Sequence, residues 1–154
     1  MASTIDDRLR ELGVELPAPS LPGANYVQFV RHGNILCVTG QLPKWQEERR
    51  FIGRIGAEFD VGQGQEAARL CALNILAVAR LALEGDLARI VRCVRVRGYV
   101  NGTPDFTSHS QVMNGASDLL VAVLGEAGRH TRVAVGATLP YGCAVEVEAD
   151  FEVR

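Results

Sequence analysis

A chain of 154 residues, 47% apolar and 22% charged, is long enough to bury one core and reads as a single globular domain over 1–154. Its net charge of −2 gives no whole-chain electrostatic footprint for nucleic acid. The apolar run "LCALNILAVA" is too short to span a bilayer and is interrupted by Asn74, so no membrane partner is expected.

The opening "MASTIDDRLREL" has no apolar h-region, and a cytoplasmic location is expected. Residues 4–13 read as a short helix, with Thr4 as N-cap, Asp6 and Asp7 in the first turn and Gly13 at its end. The proline-rich "VELPAPSLPGA" follows, so residues 1–19 form a helix and lead-in. "NYVQFV" and "ILCVTGQLP" flank the polar turn "RHGN" and predict a hairpin. "KWQEERRFIGRIGAEF" predicts a polar loop with a short strand. The strongest helix spans about 61–84, with Ala67, Leu70, Cys71, Asn74, Ala77, Val78 and Leu81 on one stripe and Gly85 closing it. "RIVRCVRVRGYVNG" predicts a strand in which Val94, Val96 and Val100 alternate with Arg95, Arg97 and Tyr99. "SQVMNGASDLLVAVLGEAG" predicts a second long helix. "RVAVGATLPYGCAVEVEADFEV" predicts a closing hairpin. In its second arm Cys143, Val145, Val147, Ala149, Phe151 and Val153 share one face, and Glu146, Glu148, Asp150 and Glu152 the other. The sum is an α+β layer, a mixed sheet with the long helices on one face and the other face uncovered.

Several chemistries are weighed against plainer readings. "GQGQEA" fits a loosened dinucleotide fingerprint, but no buried strand precedes it, and glycines at a helix start explain it. A relay through His109 and Ser110 lacks a nucleophile elbow. Cys37, Cys71, Cys93 and Cys143 show no CxxC spacing and the three histidines do not cluster, so buried thiols and no metal are expected. Arg92, Arg95 and Arg97, with Tyr99, would suit RNA. Pairing with the acids of the last strand explains them better. Asn114 and Gly115 inside a helix mark either close packing or a polar contact. The acid row is a solvated face unless an oligomer covers it, in which case a carboxylate needs a partner, a proton or a role. Arg132 is the residue type that holds a carboxylate bidentately.

"YVQFVRHGNILCVTGQLP", "GQEAARLCALNIL", "GDLARIVRCVRVRGYV", "VMNGASDLL" and "GRHTRVAVGATLPYGCAVEVEA" together resemble the Rid/YjgF family of reactive enamine/imine deaminases, also labelled endoribonuclease L-PSP. The likeness runs from about residue 20 to the C-terminus and is nearest to a less characterised branch reading "NGASDLL" and "GEAGRH". It implies a chorismate-mutase-like fold, a homotrimer around a central barrel, and ligand clefts between subunits. It also implies hydrolysis of 2-aminoacrylate-type enamines and imines to 2-keto acids and ammonia, with no cofactor.

Carried over residue by residue, Tyr26 lines the cleft and Thr39 stands where the founding deaminases carry serine. Gly40 belongs to the same loop, Asn114 matches the helix asparagine, and Glu146 matches the glutamate that orients water. The substrate-carboxylate arginine is Arg132 if one residue is missing from "RVAVGATLP"; without that gap Thr131 takes its place. Val133 replaces a family cysteine. Two other readings stand beside deamination: a non-catalytic trimer binding a small carboxylate, and a hydrolase of a related carbonyl or imine. Ribonuclease activity is a weaker reading, because the chain is acidic and lacks a histidine pair.

Overall fold

The computed structural model describes residues 4–154. The short α1 (Ile5–Glu11) starts at Thr4, whose side chain and that of Asp7 cap each other's backbone amides. β1 (Phe29–His32) and β2 (Ile35–Gln41) form the expected hairpin around Gly33, whose φ of 60° suits a tight turn. α2 (Val61–Ala82), β5 (Ile90–Val100), α3 (His109–Leu124), β6 (Thr131–Gly136) and β7 (Val145–Val153) complete the main layer. The five-stranded sheet has the order β1-β2-β7-β5-β6, mixed because β5 and β6 run parallel across α3. This is the mixed α+β architecture the sequence implied, with α2 and α3 on one sheet face.

Three expectations need correction. The last two strands are not a hairpin: β5 lies between them, pairing with β6 on one side and β7 on the other. The α3 crossover brings β6 back parallel to β5, and the "ATLPY" link then carries the chain past β5 to reach β7. The strand predicted through "RIVRCVRVRGYV" does not alternate throughout. A register shift between Cys93 and Arg95 turns Val94 outward, at 38% exposure, and leaves Cys93 and Val96 in the core. "KWQEERR" holds a two-stranded hairpin, β3 (Lys44–Trp45) and β4 (Glu48–Arg49), instead of a loop with one short strand. Its turn residues Gln46 and Glu47 both have positive φ.

The core lies between the sheet and the helix pair. Phe151, Val147, Ala149, Val96 and Leu36 face Leu76, Ile75, Leu120 and Met113, all fully buried. α2 is buried around much of its girth because it is wedged between the sheet, α3 and the β3–β4 hairpin, although Leu81 of the predicted stripe is 54% exposed. Gly115 is a packing residue: a Cβ there would run into the backbone carbonyl of Gln65 on α2. Gly64 likewise admits Val112 and Ile55, so the glycines of "GQGQEA" serve helix packing, under an Asp60 cap. Asn74, buried in α2, donates to the Lys44 carbonyl at 2.7 Å and to the Leu70 carbonyl at 2.9 Å, tying the β3–β4 hairpin to the core. Among the described residues no helix is long and apolar enough to cross a membrane.

Candidate functional site

β2 bulges where it meets β7: its register slips between Val38 and Gln41. The bulge holds Thr39 and Gly40, and it opens the strand beside Glu146. Gly40 has no side chain, and the space a Cβ would fill is taken by the Glu146 carboxylate. Gly40, Glu146 and Tyr26 thus share the wall of one pocket of about 400 Å³, with Gln28, Gln41 and Tyr141. The Tyr26 hydroxyl accepts from the Gly23 amide at 3.2 Å, which holds the ring on the loop before β1. Gln41 is buried below, donating to Gln28 Oε1 at 2.9 Å and to the Thr39 carbonyl at 3.1 Å. Thr39 itself lies next to the lining, its amide donating to the Gln28 carbonyl at 2.9 Å.

Glu146 differs from the rest of the acid row. Burial pushes its carboxyl above the usual range, and the Glu148 carboxylate adds to the shift. It accepts no hydrogen bond from any described residue. Glu148 and Asp150 are committed to structure instead. Arg97 bridges them at 3.4 and 3.0 Å, and the Tyr99 hydroxyl donates to Glu148 Oε1 at 3.2 Å. The pairing expected between the arginine stripe and the acids is therefore made by Arg97. Arg92 bonds the Arg129 carbonyl at 3.4 Å.

Arg132 stands elsewhere. It pairs with Val96 in the parallel ladder, so it faces the helices while Glu146, opposite Tyr99, faces the open side. Nη1 donates to Asn114 Oδ1 and Ser117 Oγ, both at 3.0 Å. Nη2 donates to the Ser110 carbonyl at 3.1 Å and to its hydroxyl at 2.6 Å. Nε is left without an acceptor among the described residues. Ser117 also meets His130 Nε2 at 2.9 Å, while His130 Nδ1 donates to the Gly128 carbonyl at 2.6 Å. With Nδ1 as donor, Nε2 accepts from Ser117 in the neutral ring. Burial holds His130 below its ordinary pKa, and the nearby Arg132 charge adds to this. Thr131 points to the open face, donating to the Val94 carbonyl at 3.0 Å. Arg132, and not Thr131, is therefore the residue beside Asn114.

The predicted residues fall into two groups within one chain. Tyr26, Gly40 and Glu146 gather at one pocket, and Arg132 and Asn114 at another place. Two strand spacings and three residues of register put the Glu146 and Arg132 Cα atoms roughly 14 Å apart, with side chains on opposite faces. His109 packs edge-on against Phe106, 5.2 Å between centroids, and Ser110 bonds Arg132, so they form no relay. Cys71, Cys93 and Cys143 are buried with thiols pushed up by burial, Cys93 to about 12; Cys37 is exposed and shifted the same way. Sequence reasoning missed Ser117 and His130 behind Arg132, and Lys44, Arg49 and Tyr141 at the pocket. "LPYG" held a signal for Tyr141, whose positive φ of 58° breaks the turn just before Gly142.

The family model described as "YjgF/chorismate_mutase-like, putative endoribonuclease" matches residues 6–147. Protein TCP17 of Trypanosoma cruzi is 49% identical over 95% of this chain and 92% of its own length. The crystal structure of Atu1372 from Agrobacterium tumefaciens superposes with a TM-score of 0.91 at 46% identity, covering 97% of this chain and 92% of that one. RidA from an Antarctic Psychrobacter matches at a TM-score of 0.57 and 26% identity, covering 88% of this chain and 94% of that one. By sequence and by fold, the chain belongs to the Rid/YjgF, chorismate-mutase-like family.

Proposed function

We propose that this protein is a cytoplasmic hydrolytic deaminase of reactive enamines and imines of the 2-aminoacrylate type, built as a homotrimer with sites between subunits. The observation that carries the reading is Glu146: a desolvated carboxyl of raised pKa, without a hydrogen bond from any described residue, aimed over Gly40 into a pocket. Within one chain Glu146 and Arg132 lie too far apart to hold one substrate, so this reading requires a site shared between copies. A second copy would bring its Arg132 to the Glu146 pocket. The open sheet face exposes Val94, Val133 and Val135, at 38–42%, and strands β1 and β6 are unpaired edges, surfaces that a barrel of three sheets would cover.

In this reading Arg132, its two Nη groups held by Asn114, Ser110 and Ser117, offers its remaining Nε–H and its charge to the substrate carboxylate. The enamine takes a proton at its β-carbon and becomes the imine. Water held by Glu146 adds to the imine carbon, its proton passing through the carboxylate to nitrogen. The carbinolamine then collapses, the C–N bond breaks, and ammonia leaves with the 2-keto acid behind. Positioning and charge stabilisation suffice for much of the acceleration, because imines hydrolyse unaided.

The test is keto-acid release while a serine or threonine dehydratase makes the enamine in situ. Wild type should accelerate release, and Arg132→Ala and Glu146→Ala should not. No acceleration over buffer by wild type would refute deamination of these compounds. The reading as a non-catalytic carboxylate binder predicts instead that Glu146→Ala keeps its affinity.

A further inference from the structure

We infer that the pocket recognises a second anionic group on its ligand, and that the substrates are imines or enamines of amino acids with an acidic side chain. The inference deepens the deaminase reading and rests on it for the reaction, though not for the binding. The β3–β4 hairpin contributes Lys44, Glu47 and Arg49 to the pocket wall. Lys44 is largely covered, its side chain 16% exposed, and its ammonium is offset by Glu47 Oε2 at 3.4 Å. Arg49 has no such offset. Its guanidinium carbon lies 3.5 Å from the centroid of the Tyr141 ring, a cation–π stack that holds the group by its flat face. Among the described residues its side chain donates no hydrogen bond and forms no ion pair.

A guanidinium held only by its face keeps its whole N–H edge available, the geometry that binds a carboxylate through two parallel hydrogen bonds. The supports are specific. Tyr141 keeps its ring there with a left-handed backbone (φ 58°), and Asn74 anchors the hairpin through the Lys44 carbonyl at 2.7 Å. A buried asparagine among the apolar buried residues of α2 is a costly residue unless its bond matters. Within the pocket Glu47 is occupied by Lys44, and no carboxylate among the described residues pairs with Arg49, so its guanidinium is left for a ligand. A substrate whose first carboxylate sits on Arg132 of a second copy would extend its side-chain carboxylate to Arg49. The imine carbon would then lie between them, within reach of Glu146. Hydrolysis balances as before: imine and water give keto diacid and ammonia.

The decisive measurement is titration calorimetry of succinate and butyrate, four-carbon acids differing in one carboxylate. Wild type should bind succinate about tenfold more tightly or better, the scale of one charge-assisted hydrogen-bonded contact. The ratio should fall toward one in Arg49→Gln and persist in Arg50→Gln, a neighbouring arginine outside the pocket lining. Equal affinity for the two acids, no succinate binding, or a ratio that survives Arg49→Gln would overturn the inference. A parallel rate assay uses imines made by D-aspartate oxidase from D-aspartate and by D-amino-acid oxidase from D-alanine. Preference for the aspartate-derived imine supports the inference, and a preference for the alanine-derived one contradicts it. If neither imine is accelerated, the deaminase reading fails, while the succinate-to-butyrate ratio still decides the anion site.

Discussion

Gly40→Ala isolates the role of Glu146 with the smallest possible change. A Cβ at Gly40 would collide with Glu146 Oε1 and lie 3.1 Å from Cδ and 3.3 Å from Cγ. Ordinary carbon contacts lie at about 3.5–4.0 Å, so the carboxylate must move by about 1 Å or more. A displacement of that size at a reacting group costs on the order of 100-fold in rate. Gly40 is not in the left-handed region, and no hydrogen bond to another described residue holds the Glu146 carboxylate. The side chain is free to swing away without unfolding anything. Replacing glycine by alanine also narrows the unfolded ensemble, a gain of about 0.4–1 kcal/mol against any crowding. The expected outcome is keto-acid release reduced about 100-fold with Tm within a few degrees of wild type. Adding Glu146→Gln should cost little more, because both changes remove one contribution. Wild-type turnover in a folded Gly40→Ala protein would refute the reasoning, and so would full additivity in the double variant.

Glu146→Gln should raise stability at neutral pH. The folded carboxyl has a pKa above its unfolded value, so wild type loses stability as pH rises through that interval, and glutamine does not. The gain, read as Tm against pH, should vanish below about pH 4, where the unfolded carboxyl is protonated too. A variant less stable than wild type at pH 7 would mean that the carboxylate is held by favourable partners. Gly115→Ala should destabilise by about 1–3 kcal/mol through overpacking against the Gln65 carbonyl, lowering Tm by about 2–4 °C per kcal/mol. An unchanged Tm would show that α2 and α3 have slack at that crossing.

Much of the fold was legible because local pattern and tertiary demand agree. α2 reads as a helix from its apolar content and its closing glycine, and β7 reads as a strand from strict alternation whose buried members are all in the core. What misled were places where pairing overrides spacing. β6 and β7 are adjacent in sequence and apolar, yet no residue pattern states that β5 will separate them. The bulge at Cys93–Arg95 shifts Val94 outward with nothing in the local composition to mark it. In the site, the choice of Glu146 from four alternating acids came from the family likeness. The physical distinction, a carboxyl facing Gly40 and paired with no arginine among the described residues, exists only once β2 and β7 are paired. Arg132 beside Asn114 was likewise visible only in three dimensions, because an insertion or deletion of one residue moves a strand side chain to the other face.

The shared site is tested most directly by subunit complementation. Arg132→Ala and Glu146→Ala proteins, each inactive as a pure assembly, would be co-expressed and assayed for keto-acid release from a dehydratase-made enamine. Random mixing gives about a quarter of the interfaces both native groups, one from each copy, so activity should recover to about a quarter of wild type. A mixture no more active than its parents would contradict a site completed by Arg132 of a second copy.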